Sequence, residues 1–520
     1  EMLPFMKICR SVSYKVVDLV YGADCREGLL AGMRALSQCV AVTLGPRGKQ
    51  VAIDAELGKP KLTKDGVTVA KYIELDNPLH NLGAKLLKYS AHDANQYAGD
   101  GTTTTSILTT AIVQKGLEAA RRGVPLLQIK AGIDLASKLT KEYIIDRKVP
   151  VTRDSDLMSV ARVATNYDED TARLVKDAIL SSGKHGIIQI EEGRMNANSL
   201  HISEGLLLNR GFAHELFLNP EYPDVRMENP LVLCAGLNLH DLSKVLHVLE
   251  LAKSRNQSLI VAARDVDGDL LTTLLKNNGA QELSCVAINF PGVGDWNLEV
   301  LADLASFTGA KYVTEEWQLK DLTLKDLGTC KRVNVDGFQS VFFGGSGDVS
   351  SRIAHIDRLI PGATGEEASI LRDRVQKLKG KMAVIEVGVS GGQTEMQERR
   401  DRIVDALNSV KSALTEGLVP GGGSIYFYAG RLLRSHKSPL TAHGVRIVAE
   451  ALQAPLKHLV ENSGYGMNFI DTLNECEDED IGLDVNTGKL TNMLDAGIID
   501  SAHVAMQAVE TACSIGGMVL

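Results

Sequence analysis

The amino-acid sequence predicts a multidomain α/β protein. Its 520 residues correspond to about three or four domains at roughly 150 residues per domain. Hydrophobic residues make up 44% of the chain and charged residues 23%, which is ordinary for a globular protein with large buried cores. Helical periodicity dominates both ends of the sequence, whereas short apolar strands alternate with helices in the middle. This order favours helix-rich domains assembled from both chain ends around an α/β domain.

The charge balance and the cysteine positions exclude several classes of function. Lys and Arg number 56 and Asp and Glu 65, so the formal net charge is −9 and a general nucleic-acid binder is disfavoured. No run of about 18 uncharged apolar residues occurs, so no membrane span is predicted. The eight cysteines form no C-x-x-C pair, and no His or carboxylate cluster has metal-ligand spacing. We interpret the cysteines as single thiols in a reducing compartment.

The first 150 residues carry a series of helical patterns. Apolar residues recur at helical spacing over about 23–42, after which Gly45 and Pro46 force a turn. The break at Lys148-Val149-Pro150 is a candidate domain boundary. The other elements predicted here are a hairpin of strands at 51–54 and 61–63 and long helices at about 70–90, 103–121 and 126–144.

The middle of the chain alternates between strands and helices, which predicts an α/β sandwich beyond Gly205. From about residue 393 onward the chain is again mostly helical. The predicted elements are helices at about 154–163, 168–181, 241–254, 268–277, 296–306 and 365–379, and strands at 186–190, 231–234, 258–262, 286–289 and 382–387.

The sharpest local motif is Gly99-Asp100-Gly101-Thr102-Thr103-Thr104, followed by an apolar helix. Flexible glycines at a helix start present backbone N–H groups to an anion, and the helix dipole favours negative charge there. Threonine hydroxyls add donors, and Asp100 supplies the oxygen ligand that a phosphate-bound Mg²⁺ prefers. An ordinary Asp/Thr helix cap explains the motif equally well in isolation. A Walker-type NTPase is disfavoured because no G-x-x-x-x-G-K-[ST] occurs.

Three further segments are weak individually but could belong to the same site. Thr43-Leu44-Gly45-Pro46 is a tight turn, and Thr63-Lys64-Asp65-Gly66 places a cation beside a carboxylate. Gly421-Gly422-Gly423 precedes a helix and leaves room for a ligand. A turn or a plain linker is the usual role of such segments.

Taken in order, these motifs resemble those of the group I chaperonins, the GroEL and mitochondrial chaperonin family. The resemblance runs from about residue 15 to about 515. It is most specific in T-L-G-P-R-G (43–48), T-K-D-G-V-T-V-A-K (63–71), A-G-D-G-T-T-T (98–104), G-L-L-L-N-R-G-F (205–212), F-P-G-V-G-D (290–295), V-D-A-L (404–407) and A-L-T-E-G-L-V-P-G-G-G (413–423).

The resemblance implies an ATPase that uses Mg²⁺ and K⁺. Asp405 matches the carboxylate that orients or deprotonates the attacking water, and Asp65 matches its helper. Asp100 matches the Mg²⁺ ligand, while Thr43, Lys64 and Thr103 match positions near the K⁺. The ATP-binding positions carried over are Thr43, Leu44, Gly45, Pro46, Lys64, Asp100, Gly101, Thr102, Thr103, Thr104, Gly422, Val163, Ile498 and Asp500.

The resemblance to the group I chaperonins also implies a subunit with three domains. The expected division is a mostly helical equatorial domain (15–149 and 417–520), a small α/β intermediate domain (150–204 and 382–416) and an α/β apical domain (205–381). Hinges are expected at Pro150, Gly205 and Gly417. Residues 1–14 are interpreted as the remnant of an amphipathic presequence, and the chain ends before the family's last strand.

The apical domain is expected to capture non-native polypeptides and a small co-chaperonin of the GroES type. Its leucines at 246, 249, 271, 274 and 275 recur at helical spacing, and that spacing alone indicates a buried core more readily than an exposed groove. The matched groove positions are Leu246, Leu249, Leu271 and Leu275, with Phe212 and Phe217 in the segment below. A homo-oligomeric ring of seven subunits is expected, located in the mitochondrial matrix or, alternatively, in the bacterial cytoplasm, with neither nucleic-acid binding nor membrane insertion.

The chain departs from the family on its predicted substrate-binding surface. On this surface Lys276 replaces an aliphatic residue and Leu216 an aromatic one. Elsewhere, Lys381 replaces a hinge glycine and Ser501 replaces the proline after Asp500. The departures at Leu216, Lys276 and Lys381 keep a second hypothesis open, a divergent paralogue that serves as a binding or structural protein with little folding activity. A stand-alone small-molecule kinase is poorly supported because no acceptor site is evident.

Overall fold

The computed structural model describes residues 20–53, 61–165, 167–183, 186–193, 197–218, 224–290, 296–388, 393–436 and 441–520. The interpreted presequence remnant and most of the F-P-G-V-G-D motif lie outside the described residues. Within the described part of the chain, no helix is long and apolar enough to cross a membrane.

Helices account for most of the regular structure. They are α1 (Gly22–Ala41), α2 (Gly66–Tyr72), α3 (Pro78–Ala98), α4 (Thr102–Arg121), α5 (Leu126–Arg147), α6 (Asp154–Ala164), α7 (Glu169–Ser182), α8 (Leu242–Arg255), α9 (Gly268–Gly279), α10 (Trp296–Thr308), α11 (Glu316–Lys320), α12 (Ser350–Leu359), α13 (Glu366–Lys379), α14 (Gln393–Glu416), α15 (Ser424–Arg434), α16 (Ala442–Ala451), α17 (Ala454–Ser463), α18 (Asn468–Glu475) and α19 (Ala502–Val519).

The strands are shorter and concentrate in the middle of the chain. They are β1 (Val51–Ile53), β2 (Lys61–Thr63), β3 (Ile187–Glu192), β4 (Ser199–Leu208), β5 (Val225–Glu228), β6 (Leu231–Leu239), β7 (Leu259–Val266), β8 (Cys285–Asn289), β9 (Tyr312–Val313), β10 (Gly328–Val335), β11 (Ser340–Gly345), β12 (Lys381–Val387), β13 (Leu418–Pro420), β14 (Ile481–Asp484), β15 (Lys489–Asn492) and β16 (Ile499–Ser501).

Two compact units make up the chain, residues 1–168 with 408–520 and residues 169–407. Both ends of the sequence therefore contribute to the first unit, while the second is one continuous segment. The three-domain division expected from the resemblance stays a prediction.

The first unit is a packed set of helices. On α1 the buried residues Leu29, Met33, Leu36 and Val40 follow helical spacing and pack against α3 and α4. The helix α19 packs against α3, α4 and α5, and Val519 at its end joins the core formed by α1. β13 pairs antiparallel with β16, which joins two further segments of this unit.

The single helix predicted over 70–90 is wrong, because the chain forms α2 and α3 there instead. Pro78 begins α3, where its missing N–H needs no partner. The Asn77 side chain accepts hydrogen bonds from the backbone N–H groups of Leu79 and His80 and so caps the new helix. Periodicity missed this boundary because apolar residues continue on both sides of it.

The second unit is built on a mixed sheet. Its strand order is β3-β12-β4-β11-β10-β6-β7-β8, with β5 also paired to β10 and β9 to β6. β6, β7 and β8 are parallel and alternate in sequence with α8 and α9, which confirms the α/β pattern predicted there. Leu259–Ala263 on β7 are all buried, as expected for a strand covered on both faces. The strands β4, β5, β9, β10 and β11 of this sheet were not predicted from the sequence.

Candidate functional site

The Gly99–Thr104 loop connects α3 to α4 in the first unit. Gly99 and Gly101 have φ of 76° and 90°, a left-handed conformation that favours glycine. Gly101 precedes the first residue of α4 and offers no capping side chain. The first backbone N–H groups of α4 consequently have no acceptor within the helix or from its cap, which suits an anion.

Thr103 lies at the first turn of α4, close to the start of α2. The hydroxyls of Thr105 and Ser106 donate to carbonyl oxygens one turn earlier, at 2.9 Å each. Thr103 Oγ1 is directed instead at Gly66, where a β-carbon would lie 2.4 Å from it. The same β-carbon would lie 3.3 Å from Thr43 Oγ1. The structure thus brings together two of the three residues expected near K⁺, Thr43 and Thr103.

Asp65 caps α2 at this place. Its two carboxylate oxygens accept hydrogen bonds from Val67 N at 3.1 Å and Thr68 N at 2.7 Å. The neighbouring Lys64, the third residue expected near K⁺, is exposed. Asp65 is thus held by the start of α2, whereas Lys64 beside it is exposed to solvent.

The turn after α1 carries Leu44, Gly45 and Pro46. Gly45 has φ of 81°, and Gly48 N donates to Gly45 O at 2.9 Å. The Asn462 side chain donates to the Leu44 carbonyl oxygen at 3.0 Å. The turn is therefore held by α17 as well as by its own backbone.

Asp100 lies close enough to Asp500 to influence its ionisation. Burial raises the pKa of Asp100, while hydrogen bonds from Gly101 and Ser409 oppose the rise and the nearby Asp65 adds to it. Burial, with repulsion from Asp100, raises the pKa of Asp500 to about 7. A cation would relieve this accumulation of carboxylates, so the donor set fits Mg²⁺.

The described residues nevertheless contain no group of three or more His, Cys, Asp or Glu side chains arranged to hold a metal ion. Mg²⁺ is commonly bound through one or two carboxylates together with substrate phosphates and water. Asp100 is consequently a suitable protein ligand for Mg²⁺ only when phosphate oxygens share the coordination.

Gly422, Ile498 and Asp500 gather around the β13–β16 pair. Asp500 is paired with Val419, and Gly421 N donates to Ile498 O at 2.9 Å. A β-carbon on Gly422 would lie 3.8 Å from Ile498 Cγ2. Val163 lies half-buried on α6, a helix that contacts β16. The four residues expected around the purine and ribose thus lie on neighbouring elements of one unit.

Two residues near the aspartates were not identified from the sequence. Ser409 on α14 donates from Oγ to Asp100 Oδ2 at 3.3 Å. Tyr426 on α15 is buried, and its pKa is raised by burial and then by Asp500 and Asp100. Ser409 follows Asp405 by four residues in V-D-A-L-N-S, so the two lie on one face of a helix. That spacing was the signal in the sequence by which Ser409 could have been identified as a site residue.

Asp405 belongs to the second unit, although α14 continues from it into the first. Its predicted role as the water-orienting carboxylate stays a prediction. The expected hinge residues Pro150 and Gly417 lie beside a bridge between Val149 and Leu418, whose backbone groups exchange hydrogen bonds of 2.8 Å. Gly205 lies in β4 at the point where the strand changes partner from β12 to β11.

The predicted substrate groove lies on α8 and α9, which contact each other in the second unit. Leu246 is 44% exposed, whereas Leu249 is 6% exposed and belongs to the core. Leu271 and Leu275 are half-buried and pack against the same core. Phe217 is buried beneath α9, and Phe212 is half-buried. Leu246 is therefore the most accessible of the predicted groove residues.

Comparisons with known proteins bear on the family and the fold of the chain. Residues 36–520 match the model of the TCP-1/cpn60 chaperonin family. The fold is shared with chaperonin gp146 from the bacteriophage EL 2 (Pseudomonas aeruginosa), whose structure was determined in the presence of ATP-BeFx. One crystal form superimposes with a TM-score of 0.67 at 21% identity, covering 96% of this chain and 97% of that chain. A second form gives a TM-score of 0.63 at the same identity and coverage.

Proposed function

Because the chain belongs to the TCP-1/cpn60 chaperonin family, we propose that it is an ATP-dependent protein-folding chaperonin. The chaperonin fold predicted from the sequence is confirmed by the family match and by the shared fold of the phage protein. The observation that carries the proposed ATPase activity is the uncapped start of α4, with Asp100 and Thr103 beside it.

In this proposal the phosphates of ATP bind at the first turn of α4. The backbone N–H groups and the hydroxyls of Thr102, Thr103 and Thr104 donate to them. Asp100 would hold Mg²⁺, and Thr43, Lys64 and Thr103 would lie near K⁺; these cations supply charge compensation for the phosphates. Gly422, Val163, Ile498 and Asp500 would surround the purine and ribose.

Asp405 is proposed to orient the attacking water, with Asp65 as its helper. Phosphoryl transfer depends mainly on positioning and charge stabilisation, and a carboxylate suits the positioning of water. Asp405 and Asp100 belong to different compact units, and the proposal includes movement at the predicted hinges Pro150 and Gly417 during the ATPase cycle.

The wider cycle is proposed from the family. Non-native polypeptides and a small co-chaperonin would bind at α8 and α9, and seven-membered rings would enclose the client. The proposed location is the mitochondrial matrix, with the bacterial cytoplasm as the alternative.

A second candidate function is a divergent paralogue that binds proteins with little folding activity. The exposed Lys276 on α9 favours it, because this cation follows directly after Leu275 on the predicted groove. Such a protein could still hydrolyse ATP, so ATPase activity alone does not distinguish the two.

Refolding of a chemically denatured client distinguishes them. The full chain is incubated with the client, ATP, Mg²⁺, K⁺ and a co-chaperonin, and recovered client activity is measured. The chaperonin proposal expects ATP-dependent recovery that is lost in Asp100→Ala. Client capture without ATP-dependent recovery would favour the second candidate, and absence of both ATP hydrolysis and capture would contradict both.

A further inference from the structure

The carboxylate of Asp100 is held at both of its oxygens. Gly101 N donates to Oδ1 and Ser409 Oγ donates to Oδ2, at 2.5 Å and 3.3 Å. The hydrogen bond from Gly101 is formed within the Gly99–Thr104 loop, whereas Ser409 contacts the carboxylate from α14, 309 residues further along the chain. Ser409 is 4% exposed, so its hydroxyl has little access to competing water.

The helix α14 also approaches the Gly99–Thr104 loop closely where Asn408 meets Gly99. A β-carbon built on Gly99 would lie 2.0 Å from Asn408 Cβ, a distance that real atoms do not adopt. The loop and the helix thus fit together only because residue 99 is glycine. This packing limits how far Ser409 and Asp100 can move apart.

A second serine of α14 contacts the segment that carries the other buried aspartate. Ser412 Oγ lies 2.8 Å from Ser501 Oγ, and Ser501 directly follows Asp500. Ser409 and Ser412 are three residues apart and share a face of the helix. Both hydroxyls can donate a hydrogen bond. Ser409 contacts the carboxylate of Asp100, which is expected to bind metal, whereas Ser412 contacts another hydroxyl.

We propose that Ser409 is a positioning residue that fixes the orientation of the Asp100 carboxylate toward Mg²⁺. The inference rests on the proposed function, because it requires Asp100 to bind metal with nucleotide. A hydrogen bond to one oxygen of a metal-binding carboxylate restricts its rotation and directs the remaining lone pairs. Asp405 lies one turn before Ser409 on the same helix, α14. The hydrogen bond from Ser409 to Asp100 therefore also connects the Gly99–Thr104 loop to the helix that carries Asp405.

Binding of ATP at varied free Mg²⁺, measured by calorimetry without turnover on the full chain, tests this role. Ser409→Ala is expected to raise the Mg²⁺ concentration for half-maximal binding by about 10-fold, the lower end of what loss of such outer partners costs. Ser412→Ala is the matched control, since it removes a hydroxyl from the same helix face. It should leave the Mg²⁺ dependence at the parent value.

Two further variants separate positioning from packing. Ser409→Thr keeps the hydroxyl and should restore the Mg²⁺ dependence to within about 3-fold of the parent. In an Asp100→Asn background, Ser409→Ala should change the Mg²⁺ dependence no further, because its effect acts through the carboxylate.

The inference is overturned if Ser409→Ala keeps the parent Mg²⁺ dependence, or if Ser412→Ala shifts it equally. A parent protein that binds ATP without any Mg²⁺ dependence would overturn the proposed role of Asp100 itself, and this inference with it.

Discussion

Gly66 approaches Thr103 so closely that a β-carbon on Gly66 would lie 2.4 Å from Thr103 Oγ1. The contact joins the first residue of α2 to the first turn of α4, where phosphate and K⁺ are proposed to bind. Thr103 can keep its present hydroxyl position only while residue 66 has no side chain.

Gly66→Ala is therefore expected to displace Thr103 and weaken the nucleotide site. Moving a threonine off its preferred rotamer costs about 1 kcal/mol, or several-fold in K⁺-dependent ATP affinity. The helix itself should not suffer, since alanine is the better helix former. Gly279→Ala, at a position open to solvent, is the control for calorimetric ATP titrations at varied K⁺. Equal K⁺ dependence in the two variants would contradict the placement of Thr103.

Asp405→Ala is expected to bind ATP normally and fail to hydrolyse it. Loss of a water-positioning carboxylate costs on the order of 10²-fold or more in rate. Asp100→Ala should instead weaken binding of the metal–nucleotide complex. Single-turnover hydrolysis and equilibrium binding separate the two effects, with Asp401→Ala, one turn earlier on α14, as the control. Hydrolysis by Asp405→Ala at the parent rate, or loss of affinity as severe as in Asp100→Ala, would refute the assignment.

Asp500 is expected to make the stability of the nucleotide-free protein fall with rising pH. Its folded-state pKa of about 7 lies above the ordinary value of 3.8, so the folded state holds the proton more tightly. Its contribution to the free energy of unfolding therefore decreases as the pH rises between about 4 and 7.

The substitution Asp500→Asn removes this dependence of stability on pH. The variant should therefore be more stable than the parent at pH 8, and the difference should be much smaller at pH 4. Scanning calorimetry without nucleotide or Mg²⁺ measures the difference, expected to be a few degrees in Tm. Asp495→Asn, an exposed carboxylate of the same segment, is the control. A Tm difference between parent and Asp500→Asn that is constant across this range would show that Asp500 ionises normally.

Asp303 is expected to be critical for the stability of the second unit. It is 3% exposed and accepts hydrogen bonds from Arg352 Nε at 2.7 Å and Arg374 Nε at 2.8 Å. Asp303→Asn would remove the buried countercharge of Arg374 and of the half-buried Arg352, leaving them only the more exposed Glu299, and such a change costs about 3 kcal/mol. Asp373→Asn, which breaks only the exposed pair with Lys377, should cost less than about 1 kcal/mol. Equal denaturant midpoints for these two variants would contradict this ranking.

Lys276→Val is expected to tighten capture of a non-native client. An exposed cation beside Leu275 reduces the apolar area available for contact, and one aliphatic side chain contributes about 1–2 kcal/mol. Capture should therefore strengthen several-fold or more, as measured by titration of a fluorescently labelled unfolded protein. Lys138→Val removes an exposed lysine from α5 in the first unit, outside the predicted groove, and serves as the control. Unchanged capture by Lys276→Val would show that clients bind elsewhere.

Motif order allowed the fold to be predicted. The start of α4 after Gly101 was also predictable, because glycine and threonine positions at a helix start have local physical causes. The same local reasoning failed at 70–90, where apolar periodicity continues across the Asn77–Pro78 boundary. It also missed β10 and β11, whose pairing with each other and with β4, β5 and β6 is not written in any one segment.

The surroundings of the site were less predictable than its motifs. Ser409 contacts Asp100 across 309 positions of sequence, and no local pattern encodes that distance. Burial of Leu249 likewise depends on how α8 meets the sheet, because helical spacing gives the same stripe for a core face and for an exposed groove.

The packing of α19 against α3, α4 and α5 sets an order on folding during synthesis. The segment 169–407 is continuous, whereas the faces of α4 and α5 that pack against α19 must wait for residues more than 300 positions downstream. At about 5–20 residues per second, that delay is on the order of tens of seconds. During this interval the nascent N-terminal helices present unburied surface, so a protein of the chaperonin family would itself be a candidate client for other chaperones on the ribosome.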